Sequence, residues 1–191
     1  FFCAAFPPLI LDILSFSPFE LFNANNSDIS NDILSFEEDV DGKFWVGTYD
    51  GLYLYNRKTQ THGKFVTQNN SVNIDQRVAT IAARESTLWL GLIRGGVEIV
   101  NTISGHQKHH NMARTSDGGI TKIIVIAGSQ DMLIATYDQG LFRITNDHTV
   151  SYYENGALPQ SSITALFQSK TGIILAASES KLYQHSPETD L

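Results

Sequence analysis

The chain has 191 residues, of which 42% are hydrophobic and 17% charged, and its formal net charge is -7 at pH 7. This is an ordinary globular composition that can bury a sizeable core. The acidic balance, with no basic cluster, argues against a nucleic-acid partner, because phosphate binding needs a positive footprint. The single cysteine, Cys3, excludes an internal disulfide.

The chain opens with an apolar segment, which we place at residues 1–18. Its first part, residues 1–11 (FFCAAFPPLIL), is too short for a bilayer, which takes roughly 20 residues to cross. Because the sequence begins with phenylalanine rather than methionine, we expect a chain that is processed or cut from a longer one. The segment has two interpretations: the remainder of a secretory signal peptide, or an apolar N-terminal strand or tail.

The next strong pattern is a hairpin in residues 41–55, DGKFWVGTYDGLYLY. Residues 44–48 and 52–55 are aromatic and β-branched runs, which are typical of strands. Between them, Tyr49-Asp50-Gly51 has the composition of a tight turn, since glycine adopts positive φ at little cost.

This hairpin pattern recurs about every 44 residues, which indicates a repeat protein. Each copy has a large residue, then a branched one, then small ones, in segments that start at Trp45, Trp89, Leu133 and Ile174. The small residues predict close approach of a neighbouring sheet, and they are Gly47, Gly91, Ala135 and Ala176. The turn glycine recurs as Gly51, Gly96 and Gly140, but the fourth copy has Lys181, so a different turn is expected there.

Further strands flank each hairpin. We predict one before each copy, at residues 33–36, 78–81, 123–126 and 163–166. A more polar one is predicted after the first three copies, at residues 64–67, 107–112 and 150–153. Helical spacing of apolar residues is weak throughout.

Four short antiparallel strands per repeat form the blade of a β-propeller, so we predict an all-β propeller over residues 19–191. The blades are expected at approximately 29–67, 73–112, 119–154 and 161–186, with an additional strand at 19–24. The additional strand could complete the last blade and close a four-bladed ring. The alternative, which we favour, is a fragment of a larger propeller.

Residues 39–52, DVDGKFWVGTYDGL, resemble the two-component regulator propeller repeat, which has the form ED-x-x-G-x-(L/F)-W-(I/V)-G-T-x-x-G-L. Residues 31–33, NDI, resemble the start of its first strand, and later copies match less closely. The resemblance implies a sensory module outside the cytoplasmic membrane of bacteria. In a longer parent protein it would precede a membrane helix and a kinase or diguanylate cyclase output, and some family members sense carbohydrates.

Strand direction sorts the turns of a propeller by face. Turns between second and third strands share one end with the links between blades, where binding residues concentrate on a rigid scaffold. The candidate ligand-binding residues at this end are Asn31, Asp32, Tyr49, Asp50, Gln76, Arg77, Arg94, Tyr137, Asp138 and Gln139. Aromatic, amide and charged groups together suit a small polar ligand such as a carbohydrate. The alternative is that they are ordinary turn residues.

We predict no catalytic residue, metal or cofactor in this chain. His109 and His110 would point to opposite faces of an outer strand, and the acidic residues 37–41 lack the spacing of a calcium loop. The predicted function is a periplasmic or extracytoplasmic sensor, the input module of a bacterial transmembrane signalling protein. One alternative is a protein-interaction scaffold or homodimer without a small ligand. The other is a lyase or hydrolase, for which Arg77, Arg94 and Asp138 would be the only material.

Overall fold

The computed structural model describes residues 32–59, 61–66, 74, 76–94, 96–110, 112, 119–129, 131–145, 148–151, 158 and 162–185. In this part of the chain all regular structure is β-strand. The strands are β1 (Ile33–Glu38), β2 (Lys43–Thr48), β3 (Gly51–Asn56), β4 (Thr61–Lys64), β5 (Val78–Arg84), β6 (Thr87–Leu92), β7 (Val97–Asn101), β8 (Gln107–His110), β9 (Ile120–Val125), β10 (Met132–Thr136), β11 (Leu141–Thr145), β12 (His148–Ser151), β13 (Ala165–Gln168), β14 (Ile174–Ala177) and β15 (Leu182–His185).

Two sequence-based expectations, the apolar segment 1–18 and the strand 19–24, lie outside the described residues, as does Asn31. Within the described residues, no helix is long and apolar enough to cross a membrane.

The strands form four antiparallel sheets in which strands adjacent in sequence are neighbours. Blades one, two and three contain β1–β4, β5–β8 and β9–β12, and blade four contains β13–β15. The first strand of each blade contacts the first strand of the next, so β1, β5, β9 and β13 follow one another. This is the predicted all-β arrangement of propeller blades.

Three hydrophobic cores hold the blades together, one at each boundary. Trp45 and Leu52 of blade one pack with Leu90 of blade two. Trp89 of blade two and Ile134 of blade three share the second core. The third core joins Leu133 and Leu141 of blade three to Leu166 and Ile174 of blade four. Burial of each large side chain contributes about 1.5–3 kcal/mol, so the boundaries supply most of the hydrophobic stabilisation.

The small residues of the repeat lie where blades approach most closely. A Cβ atom on Gly47 would lie 2.6 Å from the carbonyl oxygen of Val78 in blade two. One on Gly91 would lie 2.7 Å from the Ile120 side chain of blade three. The close approach predicted at these two glycines is therefore confirmed.

The turn after the second strand also follows the sequence prediction. Gly51, Gly96 and Gly140 have φ angles of 132°, 89° and 82°, which favour glycine. In blade four Lys181 occupies this place, because Ser178 N–H donates to its carbonyl as Thr136 N–H does to that of Gly140. Lys181 is not among the positive-φ residues, so the turn differs, as expected.

The alignment of the fourth copy was wrong by one residue. Gly47 pairs with Leu52, and in blade four Ala177 pairs with Leu182. Leu175, not Ile174, therefore takes the place of Trp45, and Ala177 takes the place of Gly47. A one-residue shift moves a strand side chain to the other face, and Ile174 accordingly packs toward blade three.

The outer strand of blade one was also misplaced. β4 spans Thr61–Lys64, not residues 64–67. The preceding turn is tight because the Asn56 side-chain oxygen accepts hydrogen bonds from the N–H groups of Lys58 and Thr59. The chain therefore returns early. Outer strands have one partner and a solvated face, so their hydrophobic pattern is weak.

Two sheet faces at the ends of the series have the composition of a blade boundary and carry large apolar side chains that are exposed. We call them the leading face of blade one and the trailing face of blade four. Leu182 on the trailing face is 69% exposed, whereas Leu52 and Leu141 at the same repeat position are buried. Phe36 on the leading face is 64% exposed, whereas its counterpart Ile81 is buried. Each face therefore exposes at least one apolar side chain of a kind that the inner boundaries bury.

Candidate functional site

The site begins with the turn that follows β2. Thr48 Oγ donates to Asp50 Oδ1 at 2.6 Å, and the Tyr53 hydroxyl donates to Asp50 Oδ2 at 3.1 Å. The Asp50 carboxylate is thus used to hold the turn. Tyr49, which lies between Thr48 and Asp50 in the sequence, is 44% exposed, and its N–H donates to the carbonyl oxygen of Asp32. The turn therefore presents the Tyr49 ring at the loop end of blade one.

The corresponding turn of blade two has the same backbone contact but different side chains. Ile93 N–H donates to the Arg77 carbonyl at 3.1 Å, as Tyr49 N–H does to that of Asp32. Arg77 is therefore the counterpart of Asp32, and Arg94, which follows Ile93, is the counterpart of Asp50. Blade two carries arginine at two positions where blade one carries aspartate.

Residues of these two blades line one cavity of about 280 Å³: Tyr49 from blade one, and Gln76, Arg77 and Arg94 from blade two. The Arg77 guanidinium carbon lies 4.7 Å from the centroid of the Tyr49 ring, which is cation–π geometry. The structure thus brings together four of the ten candidate residues.

The described lining of the cavity carries two positive charges and no negative one. In the described part of the chain neither Arg77 nor Arg94 has a carboxylate within salt-bridge distance. Both side chains are exposed, so water can solvate them. Two guanidinium groups in one cavity repel each other, and an anion between them would remove that repulsion.

The other described candidate residues do not line this cavity, and Asn31 lies outside the described residues. Asp32 contributes its backbone carbonyl, and Asp50 holds its turn. At the turn of blade three, Tyr137 and Asp138 are exposed, and Gln139 N–H donates to Thr136 Oγ. These positions serve turn geometry or project into solvent.

A second cavity, of about 350 Å³, lies along the first strands of the blades and includes Glu37, Lys122 and Gln168. Glu37 Oε1 accepts the Ala83 N–H at 3.2 Å. Burial raises the pKa of Glu37, while the Ala83 hydrogen bond and the Lys122 charge lower it. The sequence pattern of the acidic residues 37–41, taken together, did not predict a half-buried Glu37. The alternation of β1 was the available signal, since it places Glu37 opposite Trp45 on the face toward blade two.

The acidic turn between β1 and β2 has a structural role. Asp39 accepts hydrogen bonds from the Asp41 and Lys43 N–H groups and from the indole N–H of Trp45. In blade two, His109 Nδ1 lies 2.7 Å from Glu98 Oε1. Among the residues that the structure describes, no three His, Cys, Asp or Glu side chains converge as a metal site.

Comparison with known families supports the repeat assignment. Residues 27–50 match the model of the two component regulator propeller family. The chain carries a two component regulator propeller repeat. The match includes β2 up to its turn, so Tyr49 and Asp50 belong to the repeat that the sequence predicted.

Solved structures share the fold of this repeat protein. The extracellular domain assigned to the hybrid two component system BT4673 of B. thetaiotaomicron is 19% identical, with a TM-score of 0.69 over 85% of this chain and 22% of that one. For BT3049 of the same organism the identity is 17% and the TM-score 0.68, over 89% of this chain and 25% of that one. The computationally designed Ika4 protein is 11% identical, with a TM-score of 0.63 over 84% of this chain and 94% of that one.

These similarities establish the propeller fold. The chain spans a quarter or less of the length of the two natural domains. No curated protein matches the sequence significantly.

Proposed function

We propose that this chain is a ligand-sensing propeller, part of the extracytoplasmic input module of a bacterial transmembrane signalling protein. The observation that carries the proposal is the cavity between blades one and two, lined by Tyr49, Gln76, Arg77 and Arg94. We call it the loop-end cavity. It lies where propeller scaffolds place binding residues.

The chemistry of the loop-end cavity suits a small polar ligand. The exposed side of the Tyr49 ring can stack on the apolar face of a sugar. The Gln76 amide both donates and accepts hydrogen bonds, as hydroxyl groups require. The described lining contains no carboxylate or imidazole to act as acid or base. Binding without chemistry is therefore the activity that we propose.

The location of the loop-end cavity suits a signalling role as well. Its lining comes from two blades, so a ligand that contacts both stabilises their boundary. Such differential binding is what a sensor needs in order to shift a conformational equilibrium. The structural neighbours include extracellular domains of one component and hybrid two component systems, which supports an extracytoplasmic sensor.

A thermal-shift screen against neutral and acidic sugars and small metabolites tests the proposal. A ligand at about 100 times its dissociation constant stabilises the folded state by about 2.7 kcal/mol, and so raises Tm. We expect Tyr49→Ala to reduce the shift. Tyr137→Ala, which changes the exposed tyrosine of the corresponding turn in blade three, should retain it. A shift that both variants retain equally, or no shift with any compound, contradicts the proposal.

A second candidate function rests on a separate observation, the exposed apolar side chains on the leading and trailing faces. Phe36 and Leu182 are exposed at positions that the inner blades bury. Large apolar side chains exposed in this way mark surfaces that bind protein. An interaction scaffold that receives a further blade, from a second copy or from a longer chain, would use these faces without any small ligand.

A further inference from the structure

We propose that the loop-end cavity binds an oxyanion (a carboxylate, sulfate ester or phosphate carried by a polar ligand) through Arg77 and Arg94. The inference rests on the proposed sensing function and specifies the ligand class of the same cavity. It assigns the two arginines as the residues that determine specificity for charge.

The side chains at two equivalent positions of the blades differ in charge. Arg77 occupies the same repeat position as Asp32 of blade one and Gly119 of blade three, because the carbonyl oxygen of each accepts the equivalent backbone hydrogen bond. The second residue of the turn is Asp50 in blade one and Asp138 in blade three, but Arg94 in blade two. The repeat therefore requires no arginine at either position. Blade two alone among these three has two cations there, in a chain of net charge -7.

The Arg94 side chain makes no hydrogen bond that holds its own turn. Asp50 holds its turn through Thr48 and Tyr53. In blade two the counterpart of Thr48 is Leu92, which has no hydroxyl, and the turn is closed by backbone hydrogen bonds from Leu92 and Ile93. The Arg94 guanidinium is thus free to act on a ligand.

The Arg77 side chain is held against the Tyr49 ring. The guanidinium carbon lies over the ring, 4.7 Å from its centroid. The Arg77 side chain makes no hydrogen bond in the described part of the chain, so its N–H groups are available for contact with an oxyanion. The Tyr49 ring also restricts the side chain before binding, which lowers the entropy cost of ordering it.

Cavity size sets the scale of the ligand. At about 280 Å³ the loop-end cavity is at or below the small end of ligand pockets, roughly 300–1,000 Å³. Gln76 remains as a neutral partner for a hydroxyl or amide. The arrangement fits a small acid such as a sugar acid, or the charged end of a larger ligand.

The experiment is an NMR titration of the ¹⁵N-labelled chain, observing the arginine Nε–H signals. Glucuronate and glucose form a matched pair, because they differ in a carboxylate against a hydroxymethyl group. Glucose 6-sulfate and inorganic sulfate test the other oxyanion sources. The variants are Arg77→Gln, Arg94→Gln and the control Arg57→Gln, which removes an exposed arginine from the turn at the opposite end of blade one.

We expect at least one oxyanion to move the Arg77 and Arg94 signals saturably, and glucose to bind at least about tenfold more weakly. Each of the two site variants should weaken binding about tenfold, while Arg57→Gln leaves it unchanged. Unchanged circular dichroism will show that the variants fold. An equal response to inorganic sulfate and to the sugar anions supports the oxyanion site and assigns recognition to the charge alone.

Two results overturn the inference: glucose that binds as tightly as glucuronate, or arginine signals that no oxyanion moves. A neutral compound that raises Tm equally in the chain and in both arginine variants, but not in Tyr49→Ala, leaves the sensing function standing and removes the oxyanion. If no compound of either class binds, both proposals fail.

Discussion

Arg77 lies over the Tyr49 ring across the boundary of two blades, with 4.7 Å between the guanidinium carbon and the ring centroid. Tyr49 lies in the turn after β2, and Arg77 lies just before β5. The contact therefore joins the loop ends of blades one and two, whose strands are held together by the core around Trp45. It also forms one wall of the loop-end cavity.

This contact should be measurable as a coupling energy. Exposed cation–π pairs contribute about 0.5–1 kcal/mol. A double-mutant cycle with Tyr49→Leu and Arg77→Ala, read by urea unfolding, should give a coupling in that range. The same cycle with Tyr137→Leu in place of Tyr49→Leu is the control, and its effects should add. Additive effects in both cycles would show that the contact between Arg77 and Tyr49 contributes no stability.

The approach of blade two to Gly47 predicts a strong steric effect. A methyl group there would meet the Val78 carbonyl oxygen at 2.6 Å, and backbone atoms move only with their strand. We expect Gly47→Ala to lower the free energy of unfolding by about 1–3 kcal/mol. Gly63→Ala in β4 is the matched control, because its Cβ would have no neighbour within 4 Å. Equal urea midpoints for the two variants would contradict the close approach.

Much of the fold could be predicted because the first copy of the repeat is locally consistent. Aromatic strands, the turn ending in Gly51 and the small residue Gly47 each report a local constraint. The fourth copy lacks both glycines, and its strand residues Ile174, Leu175 and Ala176 suit either register. Hydrophobicity alone cannot fix a register when both faces are apolar.

The site could be predicted only in part. Strand direction placed Tyr49 and Arg77 at the same end of the propeller, but not next to each other. That adjacency depends on how blades pack, which involves residues far apart in sequence. The role of Asp50 was equally hidden, because a carboxylate that holds a turn and one that binds a ligand have the same sequence signature.

Asp39 should contribute more to stability than its neighbour Asp41. Its carboxylate accepts three hydrogen bonds, including that of the Trp45 indole N–H at 2.9 Å. Removal of a charged acceptor leaves donors unpaired and costs about 1–3 kcal/mol. Asp39→Ala should therefore lower the urea midpoint and change tryptophan emission. Asp41→Ala, in the same turn but with an exposed side chain, should do neither. Equal effects of the two variants would argue against this role.

Glu37 should make stability depend on pH. Burial is the largest cause of its raised pKa, so the folded state holds the proton more tightly than the unfolded state, whose reference value is 4.5. Its contribution is then fully present below about pH 4.5 and is lost as the pH rises from there through the raised pKa. Glu37→Gln removes this term, so the variant should gain stability relative to the parent chain across that interval.

Urea unfolding between pH 4 and pH 8 gives the measurement. Glu38→Gln is the control, because Glu38 is the adjacent residue on the opposite, exposed side of β1. The difference between the Glu37→Gln variant and the parent should grow above pH 4.5 and then level off. A difference that stays constant with pH would mean that Glu37 has the same pKa in both states.

Truncation of two equivalent leucines should affect the free energy of unfolding unequally, because only one of them is buried. Leu141 is buried between blades three and four, so Leu141→Ala should cost about 2–5 kcal/mol. Leu182 holds the same repeat position in blade four but is 69% exposed, so Leu182→Ala should change the stability of the isolated chain by about 0.5 kcal/mol or less. Comparable losses in the two variants would mean that the trailing face is already covered in solution.

The same face should control association. The trailing face of one copy presents Leu182 where the leading face of another presents Phe36, the side-chain types that pack at the inner boundaries. We therefore expect the chain to self-associate head to tail, and Leu182→Glu to suppress this, because a carboxylate at such a boundary loses its hydration. Sedimentation equilibrium over a range of concentrations measures the effect. A parent chain that stays monomeric throughout would exclude pairing between copies and leave a blade from a longer chain as the partner of this face.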